Sequence, residues 1–287
     1  MTTVPVRSDG EHSLLGRQLI LFFVLAYAIT WVFYGSLALS QAGLGWLRFD
    51  LSLPVMTVLG SCGPSCAGLV TLRITEGRWP AATSLAMKPV LVGFILAPIL
   101  IAATFAAIPA ALLSTGPLSS LRWGVLLSGS VYSISTLIGG PLGEEPGWRG
   151  FALPRLQELA GPCKASLLLG LLWAAWHLPL FLCKAWSSTS FPIYLLIMTG
   201  FSFSMTFLFN LSGGSVVTAI AAHAFFNTTA HWLNGLLADA TVRERPSPEL
   251  ILGLSGWAIA CLLVAVTGGR FAYGKSVPDR PGVGQIL

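Results

Sequence analysis

The sequence predicts an all-α protein, a polytopic membrane helix bundle of about eight transmembrane helices. Three observations carry this. Only 9% of the 287 residues are charged and 54% are hydrophobic, whereas soluble domains carry about 25% charged residues. The uncharged runs reach membrane-spanning length and are apolar throughout, which selects helices over a barrel. Lys and Arg also fall unevenly between successive connections, as the positive-inside rule expects. A soluble protein with a very apolar core would need surface charge that this chain lacks.

Residues 1–16 read as a short polar tail, and Leu19–Leu39 as the first span. Arg48 and Asp50 sit in a loop before the second span, Leu51–Leu72. There Gly60, Gly63, Pro64 and Gly68 predict a kinked helix packed closely on a neighbour. A third span fits within Val90–Leu112, and a fourth uncharged run covers Trp123–Gly143. Gly139-Gly140-Pro141 can kink or unwind that run near its end. The fifth span fits Ala165–Leu182. The long run Ala185–Ala238 breaks at Asn210-Leu-Ser-Gly-Gly-Ser215, giving a sixth span near Phe191–Phe209 and a seventh near Val216–Leu237. The eighth is Leu250–Gly269, so the membrane domain is 17–270 and a basic tail covers 271–287.

With eight spans, Arg7, Arg17, Arg73, Arg78, Lys88, Arg149, Arg155, Lys164, Arg270, Lys275 and Arg280 share one side. Arg48, Arg122, Lys184, Arg243 and Arg245 share the other, which accounts for all 16 basic residues. The excess places both termini in the cytoplasm, and the plasma membrane of a bacterium is the expected location. The five cysteines show no metal-ligand spacing and read as small packing residues. No cleaved signal peptide is needed, since the first span can direct insertion. Internal repeats are not evident, so an inverted-repeat transporter gains no support. The lipid bilayer is the expected surround, and no nucleic-acid partner is expected.

The chemistry centres on Gly143-Glu-Glu-Pro-Gly-Trp-Arg-Gly, which puts two adjacent carboxylates directly after an uncharged run. An ionised carboxylate near hydrocarbon costs about 2.5–3.5 kcal/mol even on lenient insertion scales, so its default reading is functional. Glu145 and Arg149 are four apart and can pair on one helical face. Glu144 points elsewhere and is left for another task. His177 lies in the fifth span, and His223 and Asn227 share a face of the seventh. A single intramembrane histidine is commonly an interhelical contact. Two histidines and two carboxylates on three helices favour convergence on one intramembrane catalytic cavity.

A carboxylate in a poorly solvated cavity is a usable general base, and a neutral histidine can help orient the attacking water. A second histidine with an asparagine amide offers donors where an oxyanion would form, each worth about 10²–10³ in rate. That set suits hydrolysis of a peptide bond. A variant uses Zn²⁺ or another divalent metal held by Glu144, His177 and His223, with water in the open position. The His-Glu-x-x-His zinc helix is absent. An intramembrane aspartyl dyad is excluded, since Asp9, Asp50, Asp239 and Asp279 lie in tails or loops. Gly253-Leu-Ser-Gly256 has the form used by serine proteases in membranes, but Ser255 reads as helix packing. His231, one turn beyond Asn227, reads as interfacial, and His12 as a solvated tail residue.

Three motifs, Glu144-Glu145-x-x-x-Arg149, Trp173-x-x-x-His177 and His223-x-x-x-Asn227, resemble those of the intramembrane proteases called CPBP, the CAAX prenyl protease and bacteriocin-processing group. Trp148-Arg149-Gly150-Phe151 and Leu153-Pro154-Arg155-Leu156 are typical flanks, and Gly63-Pro-Ser-Cys-Ala-Gly68 is similar to an earlier family stretch. The resemblance is strongest over about 125–235, and Trp173 stands where the family commonly has Phe. It implies an eight-helix fold and endoproteolysis of a membrane-associated or lipidated protein. By position, Glu144 with His177 would activate water, His223 and Asn227 would stabilise the oxyanion, and Glu145 and Arg149 would hold the geometry. Nothing in the chain points to a prenylated partner in particular. A non-catalytic binding or immunity protein and a proton-coupled transporter are the alternatives for the same cavity.

Overall fold

The computed structural model describes residues 9–79, 91–102, 136–183, 185–187, 189–237 and 247–274. Among these the chain is helical, without strands. Five described helices are long and apolar enough to cross a membrane: Gly10–Leu39, Leu53–Glu76, Thr136–Trp176, Phe191–Leu211 and Glu249–Thr267. The protein is an integral membrane protein. A shorter apolar helix covers Val92–Ile101, where the third span is expected. The rest of that span and most of the fourth run lie outside the described residues, as does most of the basic tail.

Helix α1 spans Asp9–Leu39, beginning inside the stretch read as a polar tail. Helices α2 (Leu53–Ser61) and α3 (Gly63–Glu76) form the kinked second span. Pro64 has no N–H to offer the carbonyl of Gly60 four residues back. That carbonyl instead accepts the Thr30 hydroxyl of α1 at 2.8 Å. The glycines let the helices approach: a Cβ on Gly60 would fall 2.2 Å from the Tyr34 ring. A Cβ on Gly63 would fall 2.0 Å from the Thr30 hydroxyl.

A π-helical turn, Val92–Leu96, runs into α4 (Ala97–Ala102). After Gly140 the chain starts a fresh helix, α5 (Pro141–Glu145), which passes through a π-helical segment, Pro146–Ala152, into α6 (Leu153–Trp176). The two glutamates therefore do not end the fourth run; they open a new buried helix. Within α6, Gly161 (φ 74°, ψ 163°) leaves helical geometry and Pro162 follows. Proline suits the first turn of a new helix, where its missing N–H has no partner to lose. The chain folds back there, so Trp148 meets Trp176 with ring centroids 5.7 Å apart.

The fifth span ends earlier than its hydropathy suggests. Helix α6 stops at Trp176, His177 is its C-cap, and a 3₁₀ turn takes Leu178–Leu182. Pro179 supplies the reason, since it cannot donate to the carbonyl of Ala175. The carbonyl of Trp176, left over at this end, accepts the Trp31 indole N–H at 3.0 Å. Helices α7 (Phe191–Leu211), α8 (Val216–Leu237) and α9 (Pro248–Thr267) complete the described bundle. Gly200 of α7 faces Gly256 of α9, where a Cβ would lie 2.9 Å from the glycine carbonyl carbon. Gly253 likewise rests on Leu196, so the Gly253–Gly256 stretch serves close helix packing.

Two further expectations change. Arg155, counted with the basic residues outside the membrane on one side, is fully buried, as is Arg149 in the pair with Glu145 that the spacing predicts. Arg155 donates to Gln18 of α1 at 2.9 Å and to Glu76 of α3 at 3.2 Å, tying three helices together at one end of the bundle. Cys62, Cys66 and Cys261 are exposed on the outer surface rather than packed inside, and all five cysteines are free.

Candidate active site

The break at Gly139-Gly140 creates the site. The amides of Gly143 and Glu144 both bond the Gly140 carbonyl at 2.9 Å, so the new helix starts tightly. Glu144 and Glu145 fall in its first turns, where the helix dipole favours negative charge. Gly147 lets the following π-helical segment press onto α3; a Cβ there would sit 2.3 Å from the backbone of Pro64. The Ser65 hydroxyl fixes the same contact by donating to the Gly143 carbonyl at 2.5 Å.

From this start the two carboxylates diverge. Oε2 of Glu144 accepts the indole N–H of Trp173 at 2.7 Å. Its other oxygen, Oε1, lies 3.5 Å from where a Cβ on Gly140 would be, and Nδ2 of Asn227 lies 3.8 Å from the same point. The missing side chain of Gly140 thus leaves Glu144 and Asn227 facing a shared space. Glu145 turns away from it. Its Oε1 takes Nη1 of Arg149 at 3.0 Å and Nδ1 of His223 at 2.8 Å. The Arg149 guanidinium lies 4.1 Å above the Trp173 ring, so one tryptophan supports both the carboxylate and the buried cation.

The histidine tautomers follow from their partners. Nδ1 of His177 is 2.9 Å from the Trp173 carbonyl, which can only accept, so Nδ1 carries the proton. Nε2 of a neutral His177 is therefore a lone pair. His223 offers its Nδ1 to a carboxylate, so for its Nε2 to donate as well the ring must be an imidazolium. The His177 ring is walled by Trp176, Trp186 and Tyr194, at 4.6, 5.7 and 5.3 Å between centroids.

A cavity of about 570 Å³ is lined by Glu144, His177, His223 and Asn227, which the sequence singled out from three motifs. Glu145 and Arg149 stand behind the wall and line none of it. His231, read as interfacial, also lines the cavity, as does Glu249 at the start of α9. No motif or spacing marks Glu249, Trp186 or Tyr194 as site residues. In the sequence Trp173 stands out only as the aromatic four residues before His177. Its i–4 relation to the histidine is the signal that it shares the cavity face. Among the described residues no three His, Cys, Asp or Glu side chains are grouped to hold a metal ion. The set Glu144, His177 and His223 does not fit a metal in this arrangement.

Fold and site together define a helical integral membrane protein whose bundle holds a cavity lined by one glutamate of an adjacent pair and by histidines. Residues 126–229 match the Rce1-like family model, described as type II CAAX prenyl endopeptidase Rce1-like, and this segment holds all three motifs. The family is the one the motifs resemble. A stretch of 37 residues is 51% identical to CAAX prenyl protease 2 of Methanococcus maripaludis. It covers 13% of this chain and 14% of that protein's length.

Proposed function

We propose that the protein is an intramembrane endopeptidase that hydrolyses a peptide bond of a membrane-associated or lipidated protein. The observation that carries this is the Glu144 carboxylate, held by Trp173 with one oxygen free toward the cavity that His177, His223 and Asn227 also line. A water between Glu144 and His177 gives one proton to the carboxylate while hydrogen-bonding the His177 Nε2 lone pair. Its oxygen bonds the scissile carbonyl carbon, and the carbonyl oxygen becomes an oxyanion. The Asn227 amide and a protonated His223 donate to that oxyanion. Collapse breaks the C–N bond, and the proton held by Glu144 passes to the departing amine. Glu145 and Arg149 touch no substrate; they fix His223 and Trp173.

The names of the matched family and relative make a prenylated CAAX peptide the first substrate to offer. Release of the C-terminal tripeptide by wild-type protein in liposomes, and none by Glu144→Gln, is the expected result. A folded Glu144→Gln variant that cleaves like wild type contradicts the proposal. Peptide binding without cleavage by either protein would favour the non-catalytic binder, and solute flux without cleavage the transporter. Both termini belong on the cytoplasmic face in this proposal, testable with reporter fusions at either end.

A further inference from the structure

Beyond the residues given a chemical role above, the cavity is lined by two tyrosines, Tyr34 and Tyr194. Tyr34 is accounted for by packing. Its ring presses on Gly60 and its hydroxyl points to the Thr57 carbonyl at 3.4 Å. Tyr194 is different. It sits in the first turn of α7, its backbone N–H bonded to the Ser190 carbonyl at 3.0 Å. Three rings clamp it: His177 at 5.3 Å, Trp186 at 5.5 Å and Phe181 at 5.2 Å, all edge-on. The ring is thereby fixed, but among the described residues nothing hydrogen-bonds the hydroxyl. A phenylalanine would satisfy every one of these contacts. Tyr194 is half-buried on the cavity wall, so its hydroxyl is open to whatever enters the cavity. Its ring edge meets His177 at 5.3 Å between centroids, which places Tyr194 on the side of the cavity where that histidine stands.

Resting on the endopeptidase reading, we infer that Tyr194 is a further catalytic residue, whose hydroxyl hydrogen-bonds the water poised between Glu144 and His177. A water molecule has two hydrogens and two lone pairs. One hydrogen goes to the Glu144 carboxylate and the other to Nε2 of His177. One lone pair attacks the carbonyl carbon, and the second accepts the Tyr194 O–H. With its other three directions taken, the attacking lone pair has one orientation left, which is how positioning lowers a barrier. Tyr194 keeps its proton throughout, so the hydrolytic balance is unchanged.

The test compares wild type, Tyr194→Phe and Glu144→Gln in liposomes on an internally quenched farnesylated CAAX peptide. The phenylalanine variant keeps the ring clamp, so its thermal unfolding and its KM stay at wild-type values. Its kcat falls about tenfold or more, the rate equivalent of one ordinary hydrogen bond. Wild-type kcat in Tyr194→Phe, with Glu144→Gln inactive, overturns the role of Tyr194 and leaves the endopeptidase reading standing. A kcat loss that only follows a loss of thermal stability also overturns it, as a packing effect. A wild type that releases no tripeptide, or an active Glu144→Gln, sinks the endopeptidase reading itself, and Tyr194's role falls with it.

Discussion

The indole N–H of Trp173 donates to Oε2 of Glu144 at 2.7 Å while the same ring carries the Arg149 guanidinium on its face at 4.1 Å. Residues 29 positions apart are joined because the chain folds back at Gly161-Pro162. Replacing Trp173 by Phe keeps a ring for Arg149 and removes the donor from Glu144. A buried carboxylate oxygen left unpaired costs about 1–3 kcal/mol. Thermal unfolding in detergent should show that loss, and peptide cleavage should fall about tenfold or more with the carboxylate no longer held.

Arg149 and Glu145 form an ion pair in which both side chains are wholly buried. Arg149→Met leaves the buried Glu145 carboxylate with its His223 contact but without its arginine, and breaking a buried pair costs about 3–5 kcal/mol. Adding Glu145→Gln removes the unbalanced charge, so the double variant should unfold at a higher temperature than Arg149→Met alone. Simple additivity of the two losses would count against a coupled pair.

Gly147 meets the backbone of Pro64, which cannot yield as a flexible side chain could. Gly147→Ala should therefore cost about 1–3 kcal/mol or more and displace the glutamates with it, lowering cleavage as well as stability. Gly16→Ala is the control, because nothing lies within 4 Å of a Cβ there. Equal unfolding temperatures for the two variants would contradict the close contact between the π-helical segment and α3.

Much of the site was legible because helical spacing is local. The pair Glu145–Arg149 and the shared face of His223 and Asn227 both follow from a separation of four residues. What the sequence hid depends on residues far along the chain. Arg155 reads as a charge on one side of the membrane because a hydropathy profile cannot show its distant partners, Gln18 and Glu76, and His223's share in the Glu145 carboxylate beside Arg149 is hidden for the same reason. The depth of Glu144 was hidden by the same route. Gly139-Gly140 marks a break, but only the packing of Gly143 and Gly147 on α2 and α3 shows that the chain re-enters the bundle. His231 and Glu249 join the cavity through the meeting of α8 and α9, which no short motif encodes.

The central claim is that Glu144 activates water in this cavity, and the most direct measurement pairs turnover with binding in one folded variant. Glu144→Gln should bind the farnesylated CAAX peptide with wild-type affinity while its kcat falls by about 10³ or more, because the amide cannot take a proton from water. Wild-type turnover should be insensitive to chelator. A Glu144→Gln protein that is folded, binds the peptide and cleaves it within about tenfold of the wild-type rate would contradict the account.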